Sequence, residues 1–337
     1  MKTVQLVRFG PADRAFSIVN QPDPSPQPNE VLIAVEGFGL NFADVLARQG
    51  LYNDCPPLPT VLGYEAVGRI EALGEKVQGF NIGQRVLAFT RFNGYASKLI
   101  AQPHAILPIG DDLPLATATA LATQYSTAWY ASQMATTLQP NDHVLVQSAA
   151  GGVGTALVQL AKHKGCVIYG TASGGKLPYL EKIGVNYPID YQKNNFATEI
   201  KRLAPNGKID IIFDALGGAS VRKGMGLLQA GGRMVSYGVA NFSGKNKLNM
   251  VKHVAQFGFF HPVQFLSASI SFIGVNMLRI ADQRPDLLQT CLQQTMAAYQ
   301  QGIVNPQSGG VYPIQELAQA HTALEKRQTT GKLAISW

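Results

Sequence analysis

The first third of the chain alternates short apolar runs with turns rich in glycine and proline. Residues 4–9 and 31–40 are typical of β-strands, and the second run follows a proline-rich segment at 22–28. Residues 66–73 and 84–89 are two more short apolar runs, separated by glycines. Short strands joined by such turns predict an irregular antiparallel barrel.

The pattern changes near residue 115, where an Ala/Thr-rich segment at 115–135 predicts a helix. From there, strand-like and helix-like segments alternate, which predicts βαβ units and a parallel sheet. The predicted strands are 143–148, 167–171, 187–189, 209–214, 233–237, 271–274 and 332–336. The predicted helices are 152–164, 176–183, 195–204, 219–228, 285–301 and 313–327.

The charge and composition of the chain bear on whether it binds nucleic acid. The 28 Lys and Arg outnumber the 21 Asp and Glu, but charged residues are only 15% of the chain, against about 25% in ordinary soluble proteins. The net charge of +7 therefore reflects scarce acids, and no block of basic residues occurs. We expect no nucleic-acid partner.

The cysteines and the apolar segments of the chain indicate which cellular compartment to expect. Cys55, Cys166 and Cys291 are far apart, and an odd number cannot pair completely within one chain. The N-terminal residues lack the apolar run of a signal peptide, and polar residues interrupt the most apolar stretch, 257–280. We expect a cytoplasmic protein with reduced thiols and no integral membrane segment.

A glycine-rich loop joins the predicted strand 143–148 to the helix that follows it. The loop contains Ala149, Ala150, Gly151, Gly152, Val153 and Gly154. Glycines there allow backbone N–H groups to approach a pyrophosphate, and the helix N-terminus adds partial positive charge. An ordinary βα turn is the alternative, but the order strand, loop, helix within a βα repeat favours dinucleotide binding.

The residues that follow the next predicted strand indicate whether the cofactor is NADPH or NADH. An NADH site usually has an Asp or Glu about 20 residues after the loop. Here Ser173 and Lys176 follow the strand, and no carboxylate precedes Glu181. A hydroxyl and a cation suit the 2′-phosphate of NADPH, although Lys176 could also belong to a solvated helix face. We predict NADPH as the cofactor.

Metal ligands are sparse. The six histidines, at 104, 143, 163, 253, 261 and 321, form no H-x-H or H-x-x-x-H pair, and no cysteines are clustered. Zinc sites need several such ligands together. We predict no metal, and His143, His163 and His321 are interpreted as surface or packing residues.

Seven segments form an ordered series along nearly the whole chain. They are Asn41-Phe-Ala-Asp44, Gly50-Leu51-Tyr52, Leu62-Gly63-Tyr64-Glu65-Ala66-Val67-Gly68, Gly83-Gln84-Arg85-Val86, Gly94-Tyr95-Ala96, the glycine loop and Gly331-Lys332-Leu333. The series resembles the medium-chain dehydrogenase/reductase superfamily, in its zinc-free quinone oxidoreductase branch. Phe272-Ile-Gly274-Val-Asn276 is similar to the group related to the vesicle amine transport protein.

The resemblance implies an α/β protein in which a GroES-like β-barrel domain accompanies a doubly wound parallel-sheet Rossmann domain. The expected ranges are 1–120 for the barrel domain, 121–265 for the NADP-binding Rossmann domain, and 266–337 for the last Rossmann strand and a return to the barrel. It also implies a homodimer paired through Rossmann edge strands, with 271–275 as the edge. In zinc-dependent relatives, the ligand Cys falls near Asn41 and the ligand His at Tyr64.

The resemblance also implies roles for individual residues. Asn41, Asp44, Tyr52 and Tyr64 are expected around the nicotinamide and the substrate, as catalytic candidates. The expected cofactor-binding residues are Thr127, Ala150, Gly151, Gly152, Val153, Gly154, Ser173, Lys176, Tyr191, Gly238, Val239 and Arg327. Gln124 stands where close relatives often have Asn. The substrate preference of those relatives therefore does not carry over directly to this chain.

The functional prediction is NADPH-dependent reduction of a small-molecule quinone or enone by hydride transfer without zinc. The proton would come from Tyr52, from Tyr64 or from water, although either tyrosine could simply be a packed aromatic. The alternative is an NADPH-binding interaction module with little turnover, of the vesicle amine transport protein type. A zinc alcohol dehydrogenase is the third reading, but this sequence lacks the Cys and His ligands that its zinc site needs.

Overall fold

The computed structural model describes residues 1–244, 252 and 254–337. Residue 253, one of the six histidines, lies outside them. The chain forms two compact units, here called unit 1 and unit 2. Unit 1 comprises Met1–Ser126, Met277–Ala297 and Pro306–Trp337, and unit 2 comprises Thr127–Asn276 and Ala298–Asn305.

The described strands and helices follow one another along both units. The strands are β1 (Lys2–Leu6), β2 (Phe16–Asn20), β3 (Val31–Leu40), β4 (Thr60–Val61), β5 (Glu65–Leu73), β6 (Arg85–Phe89), β7 (Lys98–Ala101), β8 (Ile106–Pro108), β9 (His143–Val146), β10 (Val167–Ala172), β11 (Tyr187–Asp190), β12 (Ile209–Asp214), β13 (Leu228–Ser236), β14 (Ser271–Gly274), β15 (Ser308–Pro313) and β16 (Lys332–Ser336). The helices are α1 (Ala12–Ala15), α2 (Phe42–Arg48), α3 (Leu115–Ala120), α4 (Ser126–Trp129), α5 (Gly152–His163), α6 (Leu177–Ile183), α7 (Phe196–Leu203), α8 (Ala219–Met225), α9 (Pro262–Ala268), α10 (Met277–Gln283), α11 (Pro285–Gln300) and α12 (Leu317–Glu325).

Unit 1 is built on β-sheets, as the glycine-punctuated strands predicted. One sheet has the order β2-β1-β4, and a second has the order β15-β16-β3-β5-β6-β8, with β7 also paired to β3. Except for the parallel pair β15 and β16, the strands pair antiparallel. The late strand β16 pairs with β3, so that Leu333 lies opposite Leu40. The end of the sequence is thereby part of the N-terminal sheet.

Unit 2 is a parallel sheet with helices, as the βα alternation predicted. Its order is β11-β10-β9-β12-β13-β14, in which β9 is central and the direction of winding reverses beside it. This is the doubly wound Rossmann order, and ligands bind such sheets at the carboxyl ends of the strands near the reversal. Leu145, Tyr169 and Ile212 are buried in its core.

The predicted helix at 115–135 is interrupted. A wider π-type turn at Leu121–Tyr125 separates the short α3 from α4. A second π-type turn, at Tyr130–Met134, follows α4. Apolar spacing does not distinguish an α-turn from a π-turn, and π-turns often occur at functional sites. The first of them carries Thr123, which becomes part of the site described below.

Candidate functional site

The centre of unit 1 contains a fully buried ion pair between Glu65 and Lys332. Lys332 also donates from Nζ to Oδ1 of Asn41 at 3.0 Å. The Asn41 amide donates to both Glu65 oxygens, at 2.9 and 2.7 Å, and the Thr123 hydroxyl donates to Glu65 Oε2 at 2.7 Å. These four residues are called the inner cluster. Its hydrogen bonds fix the Asn41 side chain in one orientation.

The backbone leaves room for this cluster through a glycine. Gly39, near the end of β3, faces the starts of β5 and β16. A Cβ atom on Gly39 would lie 2.1 Å from Glu65 Oε1 and 2.3 Å from Lys332 Cε. Side chains do not tolerate such approaches, so the glycine is required by packing rather than by a turn.

Asp44 lies beside the inner cluster, in the first turn of α2. The Asn41 backbone N–H donates to its Oδ2 at 2.8 Å, and the Tyr95 hydroxyl lies near enough to lower the pKa of Asp44. Burial, and then the charge of Glu65, raise the pKa of Asp44 to about 8. The positive end of a helix favours an ionised Asp, but burial is the larger influence here. Asp44 therefore holds its proton at neutral pH.

Two tyrosines stand close to Asp44. The rings of Tyr52 and Tyr64 meet edge to face with centroids 6.1 Å apart, and Tyr64 also contacts Phe92 at 5.4 Å. The Tyr64 hydroxyl is buried, and it lies near enough to the Tyr52 hydroxyl to affect the pKa of Tyr52. Burial, with the nearby Asp54, raises the pKa of Tyr52 to about 12. Burial, with Asp44, raises the pKa of Tyr64 well above its usual value. Both phenols are therefore protonated.

A buried histidine extends the polar region towards α12. His321 Nε2 lies 3.1 Å from the Tyr95 hydroxyl, and burial together with Arg48 lowers the pKa of His321 to about 3. Arg48 is itself buried and donates to Glu325 Oε2 at 2.5 Å. His321 was expected to be a surface or packing residue, and it is a neutral member of an internal polar network. Its isolation in the sequence gave no sign of these partners.

The glycine loop of unit 2 has the geometry of an anion cradle. The Gly151 N–H donates to the Ser148 carbonyl at 2.9 Å, and α5 begins at Gly152. A Cβ atom on Gly154 would lie 2.3 Å from the same carbonyl oxygen. The loop thus lies at the carboxyl end of β9 and continues directly into a helix N-terminus. Backbone N–H groups and the helix dipole there fit a pyrophosphate, and Ala150 and Val153 add no charge.

The residues predicted to hold the 2′-phosphate come together at the ends of β10 and β11. Ser173 precedes a tight turn that ends at Lys176, and the Tyr191 N–H donates to the Ala172 carbonyl at 3.1 Å. A carboxylate missed in the linear sequence is also present. A Cβ atom on Gly174 would lie 2.5 Å from Asp190 Oδ2. Asp190 ends β11, so only the pairing of strands reveals its position.

The remaining predicted cofactor residues are distributed over both units. Gly238 and Val239 follow β13 at the carboxyl edge of the sheet, and a Cβ atom on Gly238 would lie 2.8 Å from the Ala215 carbonyl oxygen. Thr127 is half-buried on α4, at the first residue of unit 2. Arg327 belongs to unit 1, where its guanidinium lies 5.9 Å from the Phe42 ring centroid. Their roles toward the cofactor stay predictions.

Zinc does not fit the residues at the expected ligand positions. Asn41 uses its amide nitrogen and oxygen within the inner cluster, and Tyr64 is a protonated phenol. Neither is a usual zinc donor, which would be a thiolate, an imidazole or a carboxylate. Across the described ranges, no three His, Cys, Asp or Glu side chains are grouped to hold a metal ion.

Comparison with known proteins identifies the family. Residues 27–109 match a family described as alcohol dehydrogenase GroES-like domain, and residues 152–293 match one described as zinc-binding dehydrogenase. The chain is 33% identical to the human synaptic vesicle membrane protein VAT-1 homolog over 342 residues, covering 99% of this chain and 86% of that protein. The chain belongs to the medium-chain dehydrogenase/reductase superfamily. This confirms the resemblance and the pairing of a GroES-like domain with a Rossmann domain.

Solved structures of the superfamily are similar to this chain over its whole length. A quinone oxidoreductase from Pseudomonas syringae pv. tomato is 26% identical with a TM-score of 0.85, covering 100% of this chain and 99% of that one. A mycobacterial protein complexed with NADPH is 25% identical with a TM-score of 0.87, covering 100% of both chains. In the described part of the chain, no helix is long and apolar enough to cross a membrane.

Proposed function

We propose that this protein is an NADPH-dependent reductase of quinones or α,β-unsaturated carbonyls that works without zinc. The observation that carries this proposal is the buried group of acids in unit 1, where the rings of Tyr52 and Tyr64 meet edge to face beside Asp44 and burial raises the pKa of all three side chains. Such groups can complete a reduction by protonating a product anion. The likeness to the Pseudomonas quinone oxidoreductase supports the same reaction class.

NADPH, when bound, supplies the hydride. The glycine loop around Gly151 would hold the pyrophosphate, while Ser173, Lys176 and Tyr191 would hold the 2′-phosphate. The Lys176 cation favours a dianionic phosphate through charge-assisted hydrogen bonding. The similar mycobacterial protein complexed with NADPH supports this choice of cofactor.

The chain's own residues would supply the electrophilic assistance. A quinone or an enone is already activated, so hydride addition needs only modest stabilisation of the oxygen. A phenol at Tyr52 or Tyr64 can donate a hydrogen bond to that oxygen, and water is the remaining source of a proton. Asn41 would orient its neighbours rather than transfer a proton, because its side-chain amide is hydrogen-bonded to Glu65 and Lys332.

A second candidate is an NADPH-binding interaction module with little turnover. It is favoured by the 33% identity to a protein named for synaptic vesicle membranes. The two functions share the glycine loop and differ in whether the groups around Asp44 act on a substrate.

We also propose a homodimer formed through β14. This strand is at the edge of the six-stranded sheet, and Phe272 on it is exposed. A strand at the edge of a sheet with an exposed apolar side chain is suited to pairing with a second copy. The variant Phe272→Lys should lower the molar mass measured by light scattering to that of a monomer. Phe9→Lys, at an exposed phenylalanine of unit 1, should not.

We propose a cytoplasmic location for this protein. No disulfide joins its three cysteines, all of which the structure describes, and burial raises the pKa of the Cys166 and Cys291 thiols to about 12. Buried, protonated thiols are unreactive and compatible with a reducing compartment.

The test is NADPH oxidation with a panel of quinones and enones, with and without EDTA. Turnover that survives EDTA, with no stoichiometric zinc in the protein, supports the reductase. NADPH binding without turnover of any acceptor favours the interaction module. Turnover that EDTA abolishes, with one zinc per chain, would contradict both.

A further inference from the structure

Two successive residues between β6 and β7 have left-handed backbone angles. Phe92 has a φ of 64° and Asn93 a φ of 63°. Asn adopts such angles readily, whereas a bulky aromatic residue rarely does. A costly backbone angle persists only where its surroundings enforce it, and such positions concentrate at functional sites. The conformation of Phe92 therefore calls for a physical reason.

Hydrogen bonds enforce the conformation of residues 90–95, here called the 90–95 turn. The Thr90 hydroxyl donates to the Phe92 carbonyl at 2.8 Å. Three backbone N–H groups of the turn donate to three carbonyls of the segment 61–64. The pairs are Thr90 to Tyr64 at 2.9 Å, Asn93 to Val61 at 3.0 Å and Tyr95 to Leu62 at 2.9 Å. The turn is thus bonded along the segment that ends at Tyr64.

The Phe92 ring packs against one of the candidate proton donors. Its side chain is 4% exposed, and its ring centroid lies 5.4 Å from that of Tyr64. The Tyr64 ring in turn meets the Tyr52 ring at 6.1 Å. The three rings are therefore packed in series, with Tyr64 in the middle. A relaxed backbone at Phe92 would redirect its ring and leave one side of Tyr64 uncovered.

The same turn holds the loop that carries Tyr52. Arg91 Nη2 lies 3.8 Å from Asp54 Oδ1, and the Arg91 guanidinium also donates to Asp282 on α10. Asp54 accepts a further hydrogen bond from Arg279 on α10. Asp54 follows Tyr52 closely in the chain, and its side chain is only 11% exposed. These ion pairs fix the loop against both the turn and α10.

We propose that Phe92 is a positioning residue for the reduction, and that the 90–95 turn fixes the two candidate proton donors relative to each other. This inference rests on the proposed function. Phe92 restricts the Tyr64 ring by contact, and Arg91 restricts the Tyr52 loop through Asp54. Proton transfer to a product anion depends steeply on where the donor oxygen lies. The turn thereby sets the rate of the proton step without touching the substrate.

Phe92→Leu keeps the site apolar but removes the ring that contacts Tyr64. With an enone we expect kcat to fall about 10–100-fold, because a small displacement of a catalytic group is that costly. With a quinone we expect a smaller fall, since a hydroquinone anion need not be protonated at once. The KM for NADPH should not change. Phe92→Tyr keeps the ring and should retain the wild-type kcat. Phe265→Leu, at a partly buried phenylalanine of unit 2, is the control.

A double-mutant cycle shows whether Phe92 acts through the tyrosines. Once Tyr52→Phe or Tyr64→Phe has removed the donating hydroxyl, Phe92→Leu should cause no further loss of enone kcat. A residue that only stabilises the fold would lower enone and quinone turnover equally and in every background. Full enone turnover in Phe92→Leu, or a loss that persists in both tyrosine backgrounds, overturns the inference while the proposed function stands.

Fluorine NMR of protein labelled with fluorotyrosine separates this inference from the proposed function, because it needs no turnover. The Tyr52 and Tyr64 resonances are assigned by their loss in Tyr52→Phe and Tyr64→Phe. Phe92→Leu should shift or broaden the Tyr64 resonance, whereas Phe265→Leu should leave it unchanged. An unchanged Tyr64 resonance in Phe92→Leu overturns the inference, with or without turnover. A changed resonance in a protein that reduces no acceptor overturns the reductase, and the positioning of the rings stands.

Arg91→Gln keeps the inference falsifiable if Phe92→Leu does not fold. Arg91 is 38% exposed, so its replacement spares the core. The variant should change the Tyr52 resonance and lower the enone kcat, because the Tyr52 loop loses its tie to the turn. Arg69→Gln, which breaks a surface ion pair with Asp111, is the matched control and should do neither. A wild-type Tyr52 resonance and enone kcat in Arg91→Gln would overturn the inference.

Discussion

Glu65 and Lys332 form an ion pair with neither side chain exposed, although 267 residues separate them in the sequence. The pair also fixes Asn41, which in turn caps the α2 turn that carries Asp44. An ion pair without solvent access stabilises a fold only while both partners are present, because either charge alone is uncompensated. The pair therefore couples the stability of unit 1 to the position of its candidate catalytic residues.

Lys332→Met should destabilise unit 1 strongly. It removes the cation and leaves the Glu65 carboxylate buried, which typically costs about 3–5 kcal/mol. The free energy of unfolding from urea titration would measure the loss. Lys98→Met is the matched control, since Lys98 pairs with Asp23 and Glu71 at the surface, where each pair contributes about 0–1 kcal/mol. Equal losses in the two variants would contradict the structural role of Lys332.

Lys176→Glu should weaken NADPH binding far more than NADH binding. The glutamate would place a negative charge where the 2′-phosphate is expected, beside the carboxylate of Asp190 that already lies near Gly174. Titration of cofactor fluorescence gives both dissociation constants. Lys164→Glu makes the same charge change at the C-terminal end of α5, away from the glycine loop. Equal affinity of the wild type for the two cofactors would contradict the assignment.

Tyr52→Phe and Tyr64→Phe test the proton donor directly. Whichever tyrosine donates should lose about 10²–10⁴-fold in kcat with an enone when its hydroxyl is removed. The loss with a quinone should be smaller, because a hydroquinone anion does not need immediate protonation by the protein. Steady-state kinetics with both acceptors provides the comparison. Full enone turnover in both variants would make water the donor and leave the tyrosines as walls of the site.

His321→Gln should make the protein more resistant to acid. Burial holds the His321 pKa at about 3 in the folded chain, against about 6.5 when unfolded. Between these values the unfolded chain binds a proton that the folded chain does not, so stability falls as pH decreases from about 6.5 to 3. Melting temperatures from pH 7 to pH 4 should therefore drop less in His321→Gln than in the wild type. His163→Gln, at an exposed position on α5, should leave the slope unchanged.

The Rossmann fold and its glycine loop could be predicted from sequence because their signals are local. Strand, glycines and helix follow one another within about 20 residues, and the spacing itself encodes the turn. The predicted strand 332–336 agrees with β16, yet its partner β3 could not be inferred from spacing. Recognising the segment Gly331-Lys332-Leu333 did not reveal that Lys332 neutralises Glu65.

The parts that escaped prediction depend on contacts between distant segments. Asp190 lies near Gly174 only because β10 and β11 pair in register. His321 looked unremarkable because its partners, Tyr95 and Arg48, come from other elements. The π-turn that places Thr123 against Glu65 has the same apolar spacing as an α-helix. Family resemblance named Asp44 as a candidate, but the raised pKa of its carboxyl follows from burial and the charge of Glu65, which the linear sequence does not show.

The pairing of β16 with β3 constrains the order in which the protein can mature during synthesis. A ribosome delivers β3 and Glu65 early, whereas Lys332 emerges 267 residues later. Until then the N-terminal sheet lacks a strand and its buried carboxylate lacks a counter-ion. The strands of unit 2 are all translated before β16. We therefore expect nascent chains to acquire a protease-resistant Rossmann unit first and a resistant barrel unit only after residue 332 has left the exit tunnel.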